Sequence, residues 1–320
     1  MTTYKEINGT NIEVLASDPS NPVIGQIWYN TTSQSLKGVE FAAEAWSSGG
    51  NLGTGRTALG GAGTQTAGLA FGGQDPGARL TATEEYNGTA WTGGGALPVA
   101  KSKMGNAGTQ TAALAFGGSD PPTGTTSTEE YNGTAWTAGG ALGTARNYIA
   151  GCGTQTAGLA FGGYSTPEGA NTTLTEEYNG SSWTAGGVLN NGRSYLTGCG
   201  TQTAGLAVGG QGGPKSTATE EYNGSSWTNG GALTAGKTNS AAAGLQTAAL
   251  AFGGSPIPVN NTAKYNGTSW TTSASLSVGR HYLGGCGTQA AALAFGGSPT
   301  PAATEEFSEA GPVTVTLSGS

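Results

Sequence analysis

Gly-Thr-Gln-Thr-Ala-Gly-Leu-Ala-Phe-Gly-Gly, residues 63–73, decides the reading of this chain because it returns five more times. The later copies occupy 108–118, 153–163, 200–210, 244–254 and 287–297, with small changes such as Val208 for Phe. Each copy is followed by Thr-Glu-Glu-Tyr-Asn-Gly or a relative of it, at 83–88, 128–133, 175–180, 219–224, 262–267 and 304–307. A Trp comes five residues after the Tyr, at Trp91, Trp136, Trp183, Trp227 and Trp270, and Trp46 holds that place ahead of the first copy. Successive copies lie 45, 45, 47, 44 and 43 residues apart. A period in the 40s means one supersecondary unit per repeat, in a ring or a solenoid.

Four strands fit in each repeat. The first runs through small residues, as in Tyr148-Ile149-Ala150-Gly151-Cys152. In the second, Leu69 and Phe71 point one way and Gly68 and Ala70 the other, so one face is bulky and the other nearly bare. Sheets stacked in a ring need this, because each bulky face sinks into the bare face of its neighbour. The third strand is Thr-Glu-Glu-Tyr, and the Asn-Gly after it predicts a tight type I′ hairpin into a fourth strand carrying the Trp. Glycine density, Asn-Gly turns and period-2 patterning exclude helical solenoids. Four strands buried on both faces make a propeller blade.

Composition narrows the function classes. Gly supplies 60 of 320 residues, but the recurring aromatic and apolar runs oppose disorder. A formal net charge of −7 disfavours nucleic acid and anionic membranes as partners. No apolar run approaches a membrane span and no secretory h-region opens the chain, so a soluble protein made without Sec-type export and without membrane insertion is expected. Cys152, Cys199 and Cys286 share one repeat position with Ala62, Ala107 and Ala243, which asks for a small buried residue rather than sulfur chemistry. The single His281 is replaced by Thr, Ser or Asn in the other repeats, so it makes no catalytic triad.

Residues 1–24 carry no repeat signal and read as an arm. Residues 25–48 read as a partial blade lacking its first strand, because Phe41 precedes Trp46 by five residues. Full repeats fill 49–310, and 311–320 supply a closing strand, either for the partial blade or for the sixth full one. The expectation is an all-β propeller of about seven four-stranded blades over 25–320.

The double Gly, the Tyr-then-Trp pair and a Leu-x-x-x-[Arg/Lys] element after the Trp together resemble the kelch repeat. That element is Leu52…Arg56, Leu97…Lys101, Leu142…Arg146, Leu189…Arg193, Leu233…Lys237 and Leu276…Arg280. The likeness covers about 25–310 and departs from kelch in its short Tyr–Trp spacing and its Ala/Gly/Thr-rich filling. That filling, with Gly-Gln-Ile-Trp-Tyr-Asn-Thr-Thr near the N-terminus, resembles virion structural proteins of tailed, especially marine, bacteriophages. The resemblance implies a tail-fibre or tail-appendage protein, made in the host cytoplasm, present in several copies and located on the virion.

The paired Glu residues, Glu84/Glu85, Glu129/Glu130, Glu176/Glu177, Glu220/Glu221 and Glu305/Glu306, occur at most once per blade and point to opposite faces of their strands, so a structural role with the basic ring outweighs acid–base or metal chemistry. The segments 74–82, 119–127, 164–174, 211–218, 255–261 and 298–303 vary while their flanks barely change. They read as a recognition face for a host glycan or protein receptor, with Asp75, Arg79, Asp120, Tyr164, Glu168, Asn171 and Lys215 as candidate contacts. Tyr4, Ile7, Ile12, Val14 and Leu15 are candidates for attachment to other virion proteins. No catalytic, cofactor or metal site is expected. A capsid decoration or adaptor protein is the alternative, and a carbohydrate-active enzyme the third class.

Overall fold

Residues 12–76, 78–120, 123–255 and 259–317 are described in a computed structural model, and every regular element among them is a strand. The chain divides into two compact units, residues 1–45 with 309–320, and residues 46–308.

The larger unit is the expected propeller. Blade 1 consists of Gly60–Gly63, Gly68–Phe71, Thr83–Tyr86 and Trp91–Gly93 in antiparallel order. Blades 2 to 5 repeat it, with first strands at Gly105–Gly108, Ala150–Thr154, Thr197–Thr201 and Ala241–Leu245. Blade 6 takes Gly284–Gly287, Ala292–Phe295 and Thr304–Ser308 from the end of the chain, and its outermost strand, Ala45–Ser48, from the beginning.

Six blades close the ring, not seven. A circle of backbone hydrogen bonds shows it. The N–H of Ala58 donates to Tyr282 C=O, Lys103 to Ala58, Tyr148 to Lys103, Tyr195 to Tyr148, Asn239 to Tyr195 and Tyr282 to Asn239, at 2.8–3.1 Å. Each donor sits just before a first strand with φ between 50° and 61°, a left-handed conformation unusual for non-glycine residues. The circle leaves no place for another blade.

The five-residue spacing of Phe41 and Trp46 imitates that of a blade without forming one. Phe41 lies in another sheet and is 59% exposed. The partner of Trp46 is Phe307, with ring centroids 5.2 Å apart, as Tyr86 partners Trp91 at 4.9 Å. A strand from each end of the chain therefore completes blade 6 and leaves no open seam.

Blade stacking follows the bulky-against-bare pattern. A Cβ built on Gly151 would lie 2.3 Å from Phe116 of blade 2, and one on Gly198 2.3 Å from Phe161 of blade 3, so only glycine admits these rings. The Trp of each blade packs on the previous blade's Phe, except that Trp270 meets Val208 there, and it donates its indole N–H to that blade's Thr, as Trp136 does to Phe71 and to Thr83 Oγ1 at 3.0 Å. Trp46 likewise packs on Phe252 and donates to Thr262 of blade 5.

The hairpins differ from expectation. Tyr86 pairs with Trp91, so the loop has four residues, 87–90, rather than two. Gly88 has φ +91° while Asn87 is not left-handed, and Asn87 Oδ1 accepts from the N–H groups of Thr89 and Ala90. The Asn caps its own turn through its side chain, an Asx-turn, which needs no type I′ backbone.

The smaller unit is one sheet in the order Glu13–Leu15, Ile27–Asn30, Ser35–Ala42, Gly311–Thr316. The segment 311–316 thus closes the sheet of 27–42, the first of the two pairings expected, but that sheet is not a blade. The arm is also shorter than expected. Glu13–Leu15 pairs in parallel with Trp28–Asn30, and Asp18 accepts from Trp28 Nε1 at 2.9 Å and Asn30 Nδ2 at 2.7 Å. These bonds hold the Asp18 carboxyl below its ordinary pKa. Of the attachment candidates, Ile12 and Leu15 are half-buried and Val14 is 67% exposed, while Tyr4 and Ile7 lie outside the described residues.

Candidate functional site at the loop face of the propeller

Most of the recurring polar residues are spent on the fold. Arg146 Nη2 donates to Glu176 Oε1 at 2.6 Å, and its Nη1 donates to the carbonyls of Gly162 and Leu174. Arg193 and Arg280 repeat this with Glu220 and Glu305, and Lys101 donates to Glu129 at 2.5 Å. The other carboxylate oxygen accepts a loop N–H, Gly143 to Glu176 at 2.6 Å for instance. The second Glu of each pair accepts from the Tyr of the next blade, as Glu130 does from Tyr178 at 2.5 Å. The Gln of each Gly-Thr-Gln donates to two carbonyls of the previous blade, Gln155 to Ala113 and Tyr131. Sequence reasoning left this Gln without a role.

Two blades break the pattern. In blade 5, Ala263 replaces the first Glu, and Lys237 donates to Gly253 C=O, Asn261 C=O and Asn261 Oδ1 instead. Burial pulls the Lys237 pKa down to about 8. In blade 1, Arg56 meets Glu84 only at 3.1 Å and Ala70 C=O at 3.2 Å, both through Nη2.

The variable loops share one end of the ring with the residues that precede the first strands. Bridges join Thr57 to Gln74, Ser102 to Ser119, Ser194 to Gln211, Thr238 to Ser255 and His281 to Ser298, and Asn147 pairs with Tyr164. Tyr164 and Asn171 face each other in a small hairpin with Glu168 exposed near its tip. Asn171 Nδ2 donates to Gln211 C=O of the next loop at 2.8 Å, so this amide ties two loops together. Lys215 is exposed and bridges to Gln211. Asp75 Oδ1 accepts from Ala78 N–H at 2.8 Å, and Arg79 bridges to Gln74. Asp120 pairs with Thr123 through its backbone.

The axis of this face carries residues that the sequence reading missed. The left-handed positions bring Ala58, Lys103, Tyr148, Tyr195, Asn239 and Tyr282 round a mouth of about 90 Å³. The rings of Tyr148 and Tyr195 lie 3.8 Å apart, and Lys103 Nζ is 4.8 Å from the Tyr148 ring centre. Burial and its bond to Tyr148 push the Tyr195 pKa up to about 12, whereas burial and nearby Arg79 lower that of Lys103. The signal was available in the sequence. In Thr57-Ala58, Ser102-Lys103, Asn147-Tyr148, Ser194-Tyr195, Thr238-Asn239 and His281-Tyr282, the second member varies far more than its surroundings.

The three thiols are buried and their pKa values raised by desolvation. No group of three His, Cys, Asp or Glu residues among those described is placed to hold a metal ion.

No protein-family model matches the chain, and no curated protein matches it in sequence. A solved structure titled "Structure of YjhT" is similar. The likeness has a TM-score of 0.68 and covers 82% of this chain and 99% of that one, at 13% identity. At that identity the likeness is one of fold, and it agrees with the propeller described above.

Proposed function

We propose that the protein is a non-enzymatic virion component of a tailed bacteriophage, of tail or tail-fibre type, whose loop face binds a host-surface glycan or protein receptor. One observation carries the binding role. Departures from repetition gather at one end of the ring, in the unequal loops and in the axial Lys103, Tyr148, Tyr195, Asn239 and Tyr282. The bonds between blades barely vary. A rigid ring that holds varied loops in fixed relation lowers the ordering cost of binding. The virion assignment rests on the sequence resemblance. The smaller unit supplies the attachment to other virion proteins in this reading.

A capsid decoration or adaptor role is the second reading, favoured by that smaller unit. Its register puts Val14, Tyr29, Leu36 and Val313 on one face of the sheet, with Val14 and Val313 exposed.

The test replaces the hairpin loop 164–174 by the short loop 298–303 and measures adsorption of particles to host cells. Adsorption is expected to fall while the protein stays folded and particle-bound. Wild-type adsorption by such particles removes that loop from the binding face.

A further inference from the structure

The left-handed position before each first strand varies most in the repeat, and its side chains meet at the axis. In ring order they are Ala58, Lys103, Tyr148, Tyr195, Asn239 and Tyr282. The next residue of each strand, apolar in every blade but the fifth, lines the same mouth. Ala58 is the one short side chain, so the rim is lowest between Lys103 and Tyr282.

Lys103 is the one charged member of this ring. Its Nζ lies 4.8 Å from the centre of the Tyr148 ring, makes no ion pair or hydrogen bond among the described residues, and is not sealed from solvent. Arg79, in the loop of blade 1, also makes no ion pair. Its Nε is buried, but Nη1 and Nη2 stay open to solvent without partners. The charge of Arg79 reaches both Lys103 and Tyr148, and no carboxylate is among the groups acting on Lys103. The recurring cations behave otherwise, since Lys101, Arg146, Arg193 and Arg280 each meet a Glu. In a chain of net charge −7, two neighbouring cations left unmatched are a local reversal. An anion beside them offsets both their repulsion and the partial burial of Lys103.

Size and surroundings decide the ligand class. A mouth of about 90 Å³ is well below the about 300–1,000 Å³ of pockets that enclose whole ligands, so it takes one group and leaves the rest on the rim. A carboxylate fits such a space and accepts charge-assisted bonds from an ammonium and a guanidinium. Around it, the phenols of Tyr148, Tyr195 and Tyr282 and the amide of Asn239 both donate and accept, as sugar hydroxyls require. A peptide would ask for a groove or a strand edge, and this mouth is round.

We infer that the axial mouth binds the carboxylate of a terminal acidic sugar of the uronic acid type, with Lys103 as its main contact, Arg79 adding attraction, and the tyrosines and Asn239 holding the sugar hydroxyls. The inference deepens the receptor-binding reading by giving it a ligand class and a place, and it rests on that reading for its biological meaning.

The experiment titrates the full-length protein with glucuronate and galacturonate, with their uncharged methyl esters, with inorganic phosphate and with N-acetylglutamate amide, by saturation-transfer NMR and calorimetry. At least one uronate binds, at least tenfold more tightly than its ester, and the binding weakens as salt is raised. Lys103→Ala weakens it by about tenfold or more at unchanged melting temperature. Alanine is tolerated there, because Ala58 holds the same position in blade 1 with φ 53° against 61°. Arg79→Gln weakens it severalfold, and carries the comparison if Lys103→Ala melts early. Absence of uronate binding, equal binding of the ester, tighter binding of phosphate or of the glutamate probe, or full binding by both variants overturns the inference. Host adsorption separates the two readings. Loss of adsorption in the loop graft without any uronate binding refutes the mouth and leaves the receptor face standing. Uronate binding by a protein whose loop graft and Lys103→Ala particles both adsorb normally keeps the mouth and refutes the receptor role.

Discussion

At the scale of single residues, the informative positions are those where a repeat omits what its siblings have. Lys237 is buried without the carboxylate that Ala263 would have been, and its pKa falls from 10.5 to about 8. The sign follows from proton binding. Between pH 8 and 10.5 the unfolded chain holds more protons at this site than the folded one, so folding stability rises with pH there. The full effect is at most about 3 kcal/mol for a shift of this size. Ala263→Glu restores the pair and keeps Lys237 charged. The variant is expected to melt above wild type at pH 7 and to lose the gain on going to pH 9.5, which thermal unfolding at the two pH values reads directly. A variant melting below wild type at pH 7 would show that the site cannot accept the carboxylate. Above pH 10 the tyrosines act oppositely. Tyr178 and Tyr222 have folded pKa values raised to about 12 from 10, so the stability they contribute below pH 10 is lost as pH climbs through that interval.

At the scale of elements, the blade interface is a set of interlocking bonds that substitutions must respect in pairs. Five interfaces join a Tyr hydroxyl to a Glu of the preceding blade, at 2.5–2.6 Å. At the sixth, Lys264 stands where the Glu would be and Phe307 where the Tyr would be, with Lys264 Nζ 6.0 Å from the Phe307 ring centre. Both partners changed together across a blade boundary, which is what direct contact demands. Lys264→Glu combined with Phe307→Tyr should therefore couple favourably, by about 0.5–3 kcal/mol in a double-mutant cycle of denaturant unfolding. Additive single effects would mean that the two positions do not share the bond seen at the other interfaces.

At the scale of the molecule, closure depends on one strand donated from the start of the chain. Ala45–Ser48 covers the edge of Thr304–Ser308, and Trp46 fills the aromatic site that five other tryptophans fill within their own repeats. A chain of residues 44–308 should fold as a closed ring. A chain of residues 49–308 exposes a strand edge and an empty aromatic slot, so it should melt lower and self-associate. Size-exclusion chromatography with thermal unfolding compares them, and equal behaviour would mean that the strand is dispensable.

The sequence by itself determined the blade. Period, glycine placement, alternating bulky and bare positions and the recurring Tyr, Trp, Glu and Arg/Lys follow from local geometry, and local geometry repeats in the chain as it does in space. It also marked the variable loops, because Tyr164, Glu168 and Lys215 stand out against constant flanks. Only the tertiary structure decided how the ring closes and what gathers at its axis. Trp46 and Phe307 are joined across nearly the whole chain, and a nearer Phe41 at the right spacing imitated the true partner. Lys103, Tyr148, Tyr195 and Tyr282 come together only because a ring brings one residue from each blade to a common centre, a rotation that spacing along the sequence does not record. The unpartnered nitrogen of Arg56 was hidden for a related reason. Arg56 shares its residue type with Arg146, Arg193 and Arg280, and only the surroundings of that one arginine differ.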